Sequence, residues 1–192
     1  SCFMARLHLG MLGQKSGRNE MAIRELEAAR RLYPRYHVNE VSPYTHLVDL
    51  YVETGDRQRA VEVMRDLRAM DPSDREAARG YARLVRRSGA SAKDVAQAFH
   101  EAIWTDLFDV DVHLDAGDAW ETAGDLRAAW REFCAATTIR SRSLDGWLGR
   151  ARVAGAQGRK DAALEALGRA AQLGADEADI RRLREQFAQA VE

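Results

Sequence analysis

Between Tyr44 and Pro72 the chain reads YTHLVDLYVETGDRQRAVEVMRDLRAMDP. Apolar residues recur there at helical spacing in two runs, Gly55-Asp56 separates the runs, and Pro72 ends the second. That pattern predicts a helix, a turn, a second helix and a stop. Four further segments share it. Their turn glycines, with Gly55, are Gly17, Gly55, Gly89, Gly124 and Gly158, at spacings of 38, 34, 35 and 34 residues. Seven residues before each glycine stand Gly10, Val48, Ala82, Gly117 and Ala151, which are mostly small. Nine after stand Leu26, Met64, Phe99 (with a one-residue shift), Phe133 and Leu167. Small residues let two helices approach closely, and a large apolar side chain fills the space beside them. Glycine at the turn takes a backbone conformation that other residues resist.

A helix-turn-helix unit with this period and these small and large positions resembles the tetratricopeptide repeat, whose period is ~34 residues. The resemblance is strongest at Tyr44, Leu47, Tyr51, Gly55, Ala60 and Pro72. It implies an all-α, right-handed solenoid of five repeats, over about 3–36, 41–74, 75–109, 110–143 and 144–175, as a single domain. The last stretch carries Ile180, Leu183 and Phe187 on one helical stripe and Arg181, Arg182, Glu185 and Gln186 away from it. This reads as a capping helix at about 177–190, apolar toward the last repeat and polar toward water. The family binds peptides or protein segments along a groove lined by the first helix of each repeat. The implied function is therefore a scaffold or adaptor without catalysis of its own.

Two other readings stay open. One is the accessory region of a larger enzyme such as a peptidase, because the chain starts at Ser1-Cys2 without methionine, as a fragment would. The other is a single-stranded RNA binder, because the second repeat also resembles a pentatricopeptide repeat. That function calls for a basic groove. Here 29 Lys and Arg face 30 Asp and Glu, a net charge of -1, which weighs against nucleic acid. An Arg- and Ala-rich composition with only Lys15, Lys93 and Lys160 as lysines fits a GC-rich bacterial genome. No apolar run reaches the ~18 residues of a membrane span. Cys2 and Cys134 lie in different repeats, so free thiols and a cytoplasmic compartment are expected.

Side-chain caps are expected at Asn19, Ser42 (with Pro43 following), Asp56, Asp74, Ser91 with Asp94, Asp109, Asp125 and Ser143. The longest linker is placed over 33–40. No catalytic motif is present, and no cofactor is implied. The string Asp109, Asp111, His113, Asp115 looks metal-binding on an extended strand, but a helix disperses it. His8 and His46 hold equivalent positions and read as ordinary interface residues, and Trp104, Trp120, Trp130 and Trp147 mostly as packing.

Three rows should face the groove. Ten before the glycines are Leu7, Thr45, Arg79, Leu114 and Leu148; six before, Met11, Asp49, Arg83, Asp118 and Arg152; three before, Gln14, Val52, Arg86, Glu121 and Gly155. The middle row alternates acid and base after Met11, so side chains of stacked helices can pair. Arg79, Arg83 and Arg86, with Arg87 beside them, form a stripe on one helix. Arginine forks match carboxylates bidentately, so the stripe suits an acidic segment of a partner. The competing reading is an ion-pair ladder with Asp49, Asp118 and Glu121, each exposed pair contributing ~0–1 kcal/mol.

Overall fold

The computed structural model describes residues 2–36 and 42–189. Among them are eleven helices and no strand. They are α1 (Phe3–Lys15), α2 (Asn19–Leu32), α3 (Pro43–Glu53), α4 (Arg57–Met70), α5 (Arg75–Arg87), α6 (Ala92–Ile103), α7 (Val110–Thr122), α8 (Leu126–Ile139), α9 (Leu144–Ala156), α10 (Lys160–Gln172) and α11 (Glu177–Gln189). Residues 37–40 of the expected linker, His37 among them, and residue 41 lie outside the described residues.

The five turn glycines all have positive φ, between 69° and 81°. Gly174, at φ 89°, is a sixth of the same kind and separates α10 from α11. Side chains cap most helix starts as expected. Ser42 accepts from Tyr44 N with Pro43 next to it, and Asp56, Asp74, Asp109, Asp125 and Ser143 each cap the helix that follows. Ser91 accepts from Asp94 N, and the Asp94 carboxylate takes the Ser91 hydroxyl at 2.6 Å. Asn19 does not cap α2: the cap position is Arg18, which has no side chain able to accept. Arg159 stands at the same place before α10.

The helices fall into two compact units, Ser1–Gly89 and Ala90–Glu192. In the first, α1 packs on α2, α3 on α2 and α4, and α5 on α4, while α1 also touches α3. Its core is built on Leu7, Leu26, Leu47, Leu50 and Tyr51. A Cβ added at Gly10 would stand 2.5 Å from Leu26 Cγ, so the small position allows the close approach of α1 and α2. Tyr51 Oη donates to Glu27 at 3.0 Å across α2 and α3.

In the second unit α6, α7, α8, α9 and α10 pack in succession, α7 touches α9, and α11 rests on α9 and α10. Phe133 is almost fully buried, and its ring lies against two glycines of the first helices, Gly117 and Gly149. Ile180, Leu183 and Phe187 of α11 are buried, with Phe187 over Gly155, while Arg181, Arg182, Glu185 and Gln186 are exposed. The terminal helix therefore has the two-faced character that its sequence predicts.

The repeats do not all bury the same positions. Five before the glycine, Leu50, Leu84, Ala119 and Val153 are buried. The corresponding Leu12 is 59% exposed, and Leu9, three residues earlier, is 48% exposed. α3 packs between α2 and α4, whereas α1 packs chiefly on α2 alone.

Candidate partner-binding faces

In the first unit, α5 separates its residues cleanly. Ala77, Ala78, Ala82, Leu84 and Val85 are buried, while Arg83, Arg86 and Arg87 are exposed. Arg79 is half-buried and lies 3.8 Å from Glu76, one turn back on its own helix. Arg68 lies over the Tyr81 ring at 5.2 Å. On the neighbouring first helix, Asp49 is exposed and makes no ion pair among the described residues, so the expected Asp49–Arg83 pair is absent. Desolvation by its neighbours pushes the Asp49 carboxyl up, with His46 opposing. His46 Nδ1 meets Gln14 Oε1 at 2.8 Å, joining α3 to α1. Burial holds the His46 imidazole below its ordinary range. Thr45 turns its hydroxyl back to the Ser42 carbonyl at 3.0 Å. Leu7, expected to face the groove, is fully buried instead, because its row lies at the edge of the packed stripe.

In the second unit the alternation of sign does form pairs. Arg152 of α9 reaches Asp118 at 2.7 Å and Glu121 at 2.8 Å on α7. Its Nε donates to Glu121 Oε1 and its Nη2 to Glu121 Oε2, so the fork is bidentate. Burial opposes the Arg152 charge, but Glu121 and Asp118 outweigh it and hold the guanidinium above its ordinary range. Leu114 is half-buried against the Phe133 core. This part of the first-helix face is thus largely neutralised from within.

The metal-like string is dispersed, as a helix requires. Asp109 caps α7, Asp111 lies 3.6 Å from Arg140, and His113 is buried with Nδ1 donating to Glu132 at 2.7 Å. Cys134 is half-buried, and burial pushes its thiol up, away from the reactive thiolate. Trp104 departs from its expected packing role: it is 71% exposed, with Phe108 beside it at 78%. These residues lie in the turn that replaces the proline exit.

One cluster escaped the sequence reading. Trp130 of α8 has the Arg159 guanidinium 4.2 Å and the Arg150 guanidinium 5.0 Å from its ring centroid. Arg150 also lies 4.5 Å from the centroid of Trp147. The two tryptophans had been read as packing, and each arginine taken singly carries no motif. The available signal was arginine at position 150, where the other repeats hold Leu9, Leu47, Tyr81 and Ala116.

Residues 46–109 match the family model of the tetratricopeptide repeat. The glycine turns and the small-to-large packing carry the same unit along the rest of the described chain. Residues 46–109 thus carry tetratricopeptide repeats, and the described chain as a whole has the same helix-turn-helix fold. Among solved structures, the protein MamA superposes with a TM-score of 0.68 at 16% identity, over 92% of this chain and 93% of that one. YrrB, a tetratricopeptide protein with an unusual peptide-binding site, gives 0.69 at 14% identity, over 94% and 90%. MamA from AMB-1 gives 0.65 at 19% identity, over 92% and 94%. At these identities the likeness speaks to the fold, an all-α tetratricopeptide solenoid. No curated protein matches the chain by sequence. No described helix is long and apolar enough to cross a membrane.

Proposed function

We propose that this protein is a non-catalytic scaffold or adaptor that binds an acidic segment of a partner protein on its first-helix face. The observation that carries the reading is the division of α5. Its small apolar residues are committed to the core, while Arg83, Arg86 and Arg87 present guanidinium groups to solvent. Guanidinium forks donate to carboxylates in pairs, and an exposed stripe can do so without disturbing the helix packing. Arg152, tied to Asp118 and Glu121, is a positioning group for α7 and α9 in this reading. Asp49 and Thr45 of α3 in the first unit, and Leu114 of α7 in the second, are further first-helix residues offered to the partner in this reading.

The test is an array of short acidic peptides beside neutral scrambled ones. Wild-type protein should bind the acidic set, and less so as salt rises. Arg83→Glu with Arg86→Glu should abolish that binding while the melting temperature stays nearly unchanged. Binding by the double variant at wild-type strength would remove α5 from the site.

A further inference from the structure

Trp130 and Arg159 of the arginine and tryptophan cluster in the second unit line a recess of about 620 Å³, together with Asp125, Arg127 and Gln157. The recess lies where two helix turns meet: Gln157 of the α9–α10 turn donates to the Leu126 carbonyl at 3.0 Å, which fixes it against α8. Trp147 is anchored through Nε1 to the Ser141 carbonyl at 2.9 Å. The aromatic part of the cluster is therefore held by hydrogen bonds and packing rather than left free to rotate.

The charges are held differently. Among the described residues, Arg127, Arg150 and Arg159 make no ion pair with any carboxylate. Among the described residues the Arg159 guanidinium hydrogen-bonds its neighbour Gln157 alone, at 3.3 Å. Arg150 reaches Thr137 Oγ1 at 3.4 Å, and its Nε–H is buried without an acceptor. A buried donor without an acceptor is costly, and in most proteins such a group has a partner. Stacking on indole holds a guanidinium by its face and leaves its N–H edge free to donate. Behind the recess Arg150 braces Trp130 and Trp147, and at its mouth Arg127 and Arg159 present unneutralised guanidinium groups, that of Arg159 held by its face on Trp130.

We propose that this recess is a second binding site, separate from the α5 face, for a carboxylate-rich peptide segment whose side chains pair with Arg127 and Arg159. A peptide fits better than a nucleic acid. Base stacking needs open aromatic faces, and here guanidinium groups already lie over Trp130 and Trp147. The Asp125 carboxylate on the rim would repel a continuous phosphate backbone. It tolerates a peptide whose acidic groups are spaced, because it is itself engaged by the Ala128 amide at 2.9 Å.

Trp130 lines the recess and Trp147 shares Arg150 with it, so indole emission responds to occupation of this site. Hexaglutamate is the probe, titrated into the whole chain at low salt. A saturable change in tryptophan emission is expected, weakening as salt is raised from roughly 0.05 to 0.3 M. Arg127→Glu with Arg159→Glu, both exposed, should weaken binding by roughly tenfold or more. Arg31→Glu with Lys93→Glu, an equal change of charge elsewhere, should alter it by less than about threefold. Arg159→Ala alone should weaken binding in the same direction, and serves if the double variant melts early. Absence of a saturable change, or equal losses in the two double variants, would overturn the proposal. So would tighter binding of an oligothymidylate of the same length that is lost in Arg127→Glu with Arg159→Glu, which would assign the recess to nucleic acid.

Discussion

His113 and Glu132 form a buried pair between α7 and α8, with His113 Nδ1 2.7 Å from Glu132 Oε2. The other ring nitrogen, Nε2, faces the Leu107 carbonyl at 3.1 Å. Both nitrogens therefore meet oxygen acceptors, and only the doubly protonated ring can donate to both. The other titratable groups facing the pair are His100 of α6, 3.8 Å from Glu132, and Asp109 at the start of α7. Burial alone would lower the His113 pKa. The Glu132 hydrogen bond, the Leu107 carbonyl, and the Glu132 and Asp109 charges together raise it.

This fixes a sign for pH dependence. A group with a raised folded pKa stabilises the fold fully below its unfolded value, about 6.5 for histidine, and loses that contribution as pH rises through the folded value. Wild type should thus lose its advantage over His113→Gln as pH increases from 6 to 8.5, by up to about 1.4 kcal/mol per pH unit within the window. Urea unfolding of both proteins at the two pH values measures it. An advantage that grows with pH would contradict the imidazolium.

A second prediction compares equivalent residues. Leu12 and Leu50 occupy the same repeat position, yet Leu12 is 59% exposed and Leu50 is fully buried. Leu12→Glu should change stability by no more than about 0.5 kcal/mol. Leu50→Glu places an unpaired charge in the first unit's core and should cost roughly 4 kcal/mol or more. Melting curves of the two variants separate the cases.

The period was legible because turn glycines and small helix positions answer to local backbone and packing demands. The five turn glycines have positive φ, and Gly10 and Gly117 face the very residues, Leu26 and Phe133, that the spacing paired with them. The pairing of Arg152 with Asp118 followed from alternation of sign. Other features depend on neighbours in the next repeat, which one repeat's pattern does not display. Gly149 answers to Phe133 of the preceding pair, and the Arg150 guanidinium is placed by Trp130 and Trp147 on two helices. Leu7 turned inward because its row borders the apolar stripe. Arg18 took the cap position that Asn19 was expected to hold, since a capping preference does not fix the helix start to within one residue.

Phe133 connects three helices, lying on α8 against Gly117 of α7 and Gly149 of α9. Truncation removes a large buried ring, and glycines on both sides offer no side chain to fill the space. Phe133→Ala should cost about 3–5 kcal/mol. An unchanged denaturant midpoint would mean that the ring is not the keystone of this contact.

The glycines around that ring give a sharper test, because two effects oppose each other there. Alanine is favoured over glycine inside a helix by about 1 kcal/mol. Gly149 and Gly168 are both helical, so propensity alone predicts stabilisation at each. At Gly168 an added Cβ meets nothing within 4 Å, and Gly168→Ala should stabilise by about 0.4–1 kcal/mol. At Gly149 the added Cβ would overlap the Phe133 ring, which is also confined by Gly117, where an added Cβ would stand 2.8 Å from it. The ring is nearly fully buried and has no open side to move toward. Overpacking of this kind costs about 1–3 kcal/mol and should outweigh propensity, so Gly149→Ala should destabilise. Paired with Phe133→Leu, the same substitution should cost less, since the smaller side chain yields room and the two sites are in contact. Urea denaturation of the two single alanine variants and the Gly149→Ala, Phe133→Leu pair measures all three terms. A stabilising Gly149→Ala would show that α9 can move away from Phe133 at little cost.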